Sequence, residues 1–321
     1  MRRIYTQIPQ EKSGNKSIIL TILLDFFLSP IVIFIAWLSH LPGLSVRLNS
    51  YYLGFRILFS SDAEHKVELN EIYRLIYRSI DSVRYFEFGY ILKEFIKNSP
   101  YEAYLDISSP RLLPISLLTR KVVRSAVLIN PDKKDMLVTR KMINSLALDR
   151  RCNLYEHKIE RLPFQAGSFD AITVVSVLEH IQDEHAAVLK IWELLRPDGV
   201  LMLSVPCSSE GFDEYIDIDE YGLGTQEENG FFFGQRFYDD NLLRDKLYSV
   251  FGKPVSQVIY GERKKGSFFD NRGKKMKLRM RYSYWLEPYF MSRDWKEYAS
   301  LQDLPGVGVI ILKFVKSKVI E

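Results

Sequence analysis

Glu179 and His180 stand side by side in Ser176-Val177-Leu178-Glu179-His180-Ile181, between an apolar run and a helical pattern. An imidazole titrates near neutrality, so His180 is the candidate general base, with His185 a turn further on. Two structural roles compete with that assignment. His180 also reads as a histidine bonding backbone at a helix start, and Glu179 as a first-turn carboxylate complementing the helix dipole. No metal site is expected. Cys152 and Cys207 fall outside any CxxC or Cys/His spacing, which argues for a reducing, cytosolic compartment without a disulfide framework. Cys207 follows a strand end, either as a buried thiol or as part of a site wall. Asp213, Glu214, Asp217, Asp219 and Glu220 alternate through an acidic aromatic stretch. It lacks the spaced ligands and closing glutamate of an EF-hand and reads as a solvated lid.

The elements that must position Glu179 and His180 surround them. Ala171 to Val175 is apolar, rich in β-branched residues and too short for a helix, so it predicts a buried strand. A helix is expected from about Asp183, with Val188, Ile191, Trp192 and Leu195 at helical spacing. Arg196-Pro197-Asp198-Gly199 stops it in a turn. Val200 to Val205 is a second buried strand. Strand, helix and strand in that order require a parallel sheet with a right-handed crossover. Ligands of such sheets sit beyond the carboxyl ends of the strands, here near Ser176 to His180 and Pro206 to Ser209.

The four pieces LPF, SFD with its strand, LEH, and RPDGVLMLSVP occur in one order and spacing between Leu162 and Pro206. Together they resemble the second half of class I S-adenosylmethionine-dependent methyltransferases of the type 11 branch. The resemblance spans roughly Tyr101 to Ser317. It implies a Rossmann-like α/β fold with a seven-stranded, mostly parallel sheet and a terminal antiparallel hairpin, from Val255–Tyr260 and Val307–Phe314. It also implies S-adenosyl-L-methionine as cofactor. The first strand, Tyr101 to Ile107, carries Asp106 where the family places an acidic residue for the cofactor's amino group or nearby waters. The loop that follows is glycine-rich in the family; here it reads Ser108-Ser109-Pro110-Arg111-Leu112. Those side chains tighten the pocket, although proline and serine can start and cap the next helix. After the second strand, Ala126 to Ile129, Asn130 stands where the family has an acid for the ribose hydroxyls. An amide oxygen accepts such a bond without a charge. Asp132 could share the role or simply be the N-cap of the next helix. A third strand is expected over Asn153 to Ile159. Ile159 and Val175 would flank the cofactor, with Lys158 at the adenine-binding position and Glu160 a substitute acceptor. Glu179, Arg236 and Tyr238 are the substrate-side candidates, the last two from a basic-aromatic entry to the helix Asp239 to Val250.

Three regions follow from composition: a hydrophobic segment 1–61, a helical lead-in 62–100, and the methyltransferase-like domain 101–321 with insertions at about 207–235 and 262–305. Ser17 to Leu38 is almost wholly apolar and long enough to span a bilayer, but Asp25 and Ser29-Pro30 interrupt it. A simple span with a basic N-terminus inside would place the domain away from its cofactor. A helix in the membrane face, a re-entrant pair, or a helix packed on the protein's own core avoids that conflict. The expected location is cytoplasmic, with attachment to the cytoplasmic face of a membrane as one arrangement. A net charge of +4 gives no general nucleic-acid signal. The basic residues from Lys275 to Arg281 alternate with Met276, Leu278 and Met280, a pattern for a cationic strand face or a lysine-protected edge. The expected activity is methyl transfer to a small-molecule, lipid-linked or glycan-precursor acceptor. The alternatives are a methyltransferase-fold binding or scaffold protein that has lost catalysis, and another doubly wound enzyme, which the missing glycine fingerprint also opposes.

Overall fold

The computed structural model describes residues 2–5, 26–31, 33–34, 37–38, 43–60, 66–77, 83–219, 226–227, 230–267, 291 and 293–317. In chain order, β1 is Arg2–Tyr5, α1 Leu44–Leu58, α2 Leu69–Tyr77 and α3 Arg84–Lys97. The first βα pairs follow as β2 (Tyr101–Ile107), α4 (Leu112–Thr119), β3 (Val123–Ile129), α5 (Lys133–Ser145) and β4 (Cys152–Tyr155). Then come β5 (Phe169–Val175), α6 (His185–Leu194), β6 (Leu195–Ser208), β7 (Phe212–Ile216) and β8 (Phe232–Phe237). Helix α7 runs through Asp240–Leu242, a π-helical Leu243–Tyr248 and Ser249–Phe251; β9 (Ser256–Glu262), β10 (Trp295–Tyr298) and β11 (Val307–Val315) close the order.

The main sheet has the order β10-β9-β11-β6-β5-β2-β3-β4. Strands β2 to β6 run parallel to their neighbours, whereas β11 pairs antiparallel with both β6 and β9. The strand order reverses between β2 and β5, so the topological switch point lies between the ends of those two strands. The sheet has eight strands, one more than the sequence pattern implies. The extra strand is β10, which pairs antiparallel with β9 from Trp295↔Glu262 to Tyr298↔Ile259. Trp295 holds it in place, packed with Tyr85, Phe86, Met291 and Val309.

Side-chain alternation splits the core across the sheet. Tyr104, Ala171, Val175 and Met202 face a cluster shared with α1 to α5, including Val46, Leu53, Ile57, Phe88, Ile91 and Leu113. Leu105, Ile172, Val174, Leu201 and Leu203 face the opposite way, toward Val188, Ile191 and Leu194 of α6 and Leu243 and Leu247 of α7. All seven residues of β5 are buried, as a parallel strand covered on both faces requires. Asp170 in β5 is buried too, and its carboxylate accepts from Glu102 N at 2.7 Å and Ala103 N at 3.0 Å, fixing the start of β2. Cys152 and Cys207 are buried free thiols, the first pushed up to about 12 by burial.

A second sheet, β1-β7-β8, forms outside the main one; β1 is parallel to β7, and β7 antiparallel to β8. Strand β7 comes from the acidic stretch expected to be a lid, whereas β1 comes from the N-terminal segment. The proposed cationic strand Lys275 to Arg281 and Trp285 lie outside the described residues, as do the lid residues 220–225.

Candidate active site

Period-two alternation and register bring Tyr104, Asp106 and Thr173 to one face at the switch point, with Asp106 paired to Thr173 across β2 and β5. Asp106 Oδ2 accepts from Thr173 Oγ1 at 2.5 Å and from Tyr104 OH at 2.9 Å, and the two hydroxyl oxygens stand against each other. Its Oδ1 accepts from Ser109 N at 3.1 Å. Burial pushes the carboxyl up to about 6, against the pull of donors from Thr173, Ser109 and Tyr104. Asp106 is therefore a brace beneath the loop after β2.

That loop makes a glycine-type turn without glycine. Ser108 adopts φ 50, in the left-handed region, which glycine enters without steric cost and serine does not. Ser108 N donates to Ile129 O at 2.8 Å, and its hydroxyl to the same carbonyl at 3.3 Å. Ser109 Oγ accepts from Val175 N at 3.1 Å and so ties the loop to the end of β5. Arg111 bridges Glu71 of α2, at 3.2 Å, and Asp135 of α5.

Asn130 follows β3, half-buried. Its Oδ1 accepts from Asp132 N at 2.9 Å, and its Nδ2 donates to Asp135 Oδ2 at 3.1 Å. Asp132 is the N-cap of α5, accepting from Lys134 N and Asp135 N. Ile159 is buried in a 3₁₀ turn, Ile159–Arg161, with Lys158 and Glu160 exposed on either side. The turn ends β4 at Tyr155, four residues before the expected boundary.

Beyond β5 the chemistry changes. Glu179 and His180 share a 3₁₀ turn, Leu178–His180. Glu179 is buried, its Oε2 has no hydrogen-bond partner among the described residues, and burial pushes the carboxyl up to about 8, helped by the negative charge of Glu87 and opposed by Arg84. His180 Nδ1 lies 2.7 Å from Gly234 O in β8, and its Nε2 lies 3.9 Å from Glu179 Oε1. A carbonyl only accepts, so in the neutral ring Nδ1 carries the hydrogen and Nε2 the lone pair.

Above these strand ends lies a group supplied by α3. Arg84 Nη1 donates to Glu87 Oε2 at 2.5 Å and to Ser176 Oγ at 2.6 Å. Glu87 Oε1 accepts from Ser176 Oγ at 2.8 Å and Ser204 Oγ at 2.6 Å. The sequence reading missed Glu87, Arg84 and Ser204. The available signal was a carboxylate on the apolar face of α3, a turn before Ile91 and flanked by Phe86 and Phe88.

Arg236 is buried in an ion-pair cluster. Its Nη1 donates to both carboxylate oxygens of Glu184, at 2.7 and 2.8 Å, and its Nε to Asp213 at 2.9 Å; Tyr238 OH reaches Glu184 at 3.4 Å. Glu184 immediately precedes α6, so the cluster fastens the β7–β8 hairpin to the helix that follows Glu179 and His180.

Residues 105–203 match the family model for a methyltransferase domain. They begin in β2 and end in β6, covering both sides of the switch point. No curated protein matches the sequence. Among solved structures, the MccD protein superposes with a TM-score of 0.50 at 14% identity, covering 72% of this chain and 96% of that one. Geranyl diphosphate methyltransferase, solved with GPP and sinefungin, gives 0.48 at 9% identity, covering 72% and 77%. Phosphoethanolamine N-methyltransferase 2 of Haemonchus contortus, solved with S-adenosyl-L-methionine, gives 0.46 at 13%, covering 73% and 53%. At 14% identity the likeness to the MccD protein is one of fold. Over residues 105–203 the chain is therefore similar to a methyltransferase domain.

Proposed function

We propose that this protein transfers a methyl group from S-adenosyl-L-methionine to a small-molecule, lipid-linked or glycan-precursor acceptor at the cytoplasmic face of a membrane. The observation that carries the reading is the family match over 105–203, which falls on the strands and turns around the switch point. The residues fit the cofactor. Ser108 keeps the left-handed turn that lets backbone approach a ligand, and near the end of β5 a buried carboxylate oxygen of Glu179 lacks a partner among the described residues. When bound, the cofactor supplies an electrophilic methyl group.

The chain's own residues then divide the work. The Ser108–Ser109 turn, braced by Asp106, holds the cofactor's polar end. Asn130 Oδ1 has a second lone pair and accepts one ribose hydroxyl. Ile159 and Val175 supply apolar flanks, and Glu160 is the remaining acceptor on the adenine side. His180 Nε2 takes the acceptor's proton, and Glu179 faces the acceptor's polar group. Arg236 and Tyr238 act as positioning residues that keep the hairpin carbonyl of Gly234 on His180.

A second reading, a scaffold that has lost catalysis, is favoured by one observation: Asp106 and Asn130 already bond protein groups at both ends of their polar side chains. Calorimetric titration of the full chain with S-adenosylhomocysteine separates the two. Micromolar binding, weakened about tenfold in Asn130→Ala by loss of one hydrogen bond, is the result expected of the transferase. No binding to folded protein in lipid or detergent overturns it.

A further inference from the structure

Helix α1 packs on the core through Val46, Leu53 and Ile57, and carries polar side chains inward beside them. Arg47, Asn49 and Ser50 face the protein and are buried. Arg47 Nη2 donates to Ile76 O at 3.4 Å, Asn49 Nδ2 to Ser116 Oγ at 2.8 Å, and Ser50 Oγ to Leu75 O at 2.7 Å. The opposite face carries Leu48, Tyr52, Phe55 and Phe59, one above the other at helical spacing, all exposed, with Phe59 at 79%. In the segment before it Ser29 is buried, whereas Phe26, Phe27, Phe34 and Trp37 are exposed, Phe27 at 68%. Each such side chain forgoes about 1.5–3 kcal/mol of burial in water. Contiguous apolar surface of this extent marks an interaction site.

We propose that these two outward faces form an interfacial anchor lying in the surface of an anionic phospholipid bilayer. Three observations select lipid as the occupant. Tyr and Trp are the side chains that favour the boundary between headgroups and acyl chains. The charge is one-sided: between Phe26 and Ser60 there is no Asp or Glu, and Arg56 lies at the end of the stripe, 5.7 Å over the Tyr52 ring. Arg120 flanks the other end, donating to Ser45 O at 2.8 Å, with Lys121 exposed beside it. Finally, α1 is 15 residues long, too short to cross a bilayer, so its outward face meets the membrane in its plane.

The anchor deepens the membrane placement in the reading above and rests on that reading only for where the acceptor is found. Gly43, which precedes α1, packs so closely on α3 that an added Cβ would stand 2.4 Å from Tyr85 O. Tyr85 is the neighbour of Arg84, whose guanidinium covers Ser176. The anchored helix thus begins beside the roof of the site, within reach of a lipid-linked acceptor.

Flotation of the full-length protein with phosphatidylcholine/phosphatidylglycerol vesicles and with pure phosphatidylcholine tests the proposal. Wild type floats with both, more strongly with the anionic vesicles. The exposed triple variant Tyr52→Ser/Phe55→Ser/Phe59→Ser keeps its circular dichroism and melting temperature, and its lipid partition falls by at least about a hundredfold. Arg56→Glu loses the preference for anionic vesicles. Wild type that does not float overturns the proposal, as does a triple variant that floats like wild type. So does a dimer that the triple variant dissolves without any vesicle binding, since the face would then belong to a second copy. Flotation reads no methyl transfer, so its failure and a failed cofactor titration are distinct results.

Discussion

Asp106 and Glu179 are carboxylates of the same burial, each 2% exposed, near the ends of neighbouring strands. Burial raises both, yet Asp106 rises to about 6 and Glu179 to about 8. The difference lies in donors. Asp106 receives two hydroxyls and a backbone N–H, whereas Glu179 keeps an oxygen without a partner among the described residues and stands near the charge of Glu87. Equal desolvation therefore leaves a well-bonded carboxylate on one side of the switch point and a poorly bonded one, raised further, on the other.

The largest expected effect breaks the brace. Asp106→Ala leaves Tyr104 OH, Thr173 Oγ1 and Ser109 N without their shared acceptor, and should cost about 3 kcal/mol or more of stability. The midpoint of urea unfolding reads it directly. If that midpoint holds, Asp106 is not what supports the loop, and the contrast with Glu179 fails.

Glu179 should behave in the opposite sense. Its folded pKa, about 8, stands above the ordinary 4.5, so the native state binds the extra proton. Stability from this group is full below about pH 4.5, declines as pH rises, and levels off above about 8. Glu179→Gln removes the titration and flattens the decline by a few kcal/mol. Unfolding midpoints from pH 5 to 9 measure the slope; an unchanged slope would place the titration elsewhere. Asp106 adds a smaller decline of the same sign between 3.8 and about 6.

The smallest effect sharpens the comparison at the loop itself. Ser108 at φ 50 bears a strain that glycine lacks, so Ser108→Gly should gain about 1 kcal/mol of stability. It should also tighten S-adenosylhomocysteine binding by clearing side-chain volume from the turn. A loss on both counts would mean that the Ser108 hydroxyl bond to Ile129 O outweighs the backbone cost.

The two sides of the switch point also differed in legibility. Strand β5 and the strand–helix–strand order around it were plain in the sequence, because β-branched runs and helical spacing record burial directly. The loop after β2 was harder. The absence of glycine is visible in the sequence, but that a serine takes glycine's backbone conformation depends on bonds to Ile129 and Val175, residues distant in the chain. Asp132 was left between two roles, and its bonds to Lys134 N and Asp135 N make it the cap. Glu87 escaped notice because its partners, Ser176 and Ser204, lie on other strands. Strand β10 lacked a signal of its own, since four residues next to a basic insertion do not announce a pairing edge. Arg236 looked like a ligand-facing cation, but only the fold reveals Glu184 and Asp213 as its partners.

The burial of Cys152 and Cys207 has a practical corollary. With both thiols inside the sheet, and burial pushing each well above its ordinary range, alkylating reagents find no thiolate in the folded chain. The natural sequence can thus serve unaltered as a background for site-directed labelling. A cysteine placed at position 48, 52, 55 or 59 would carry the only reactive sulfur. A fluorophore or nitroxide attached there, one position at a time, would turn the exposed face of α1 into a depth gauge.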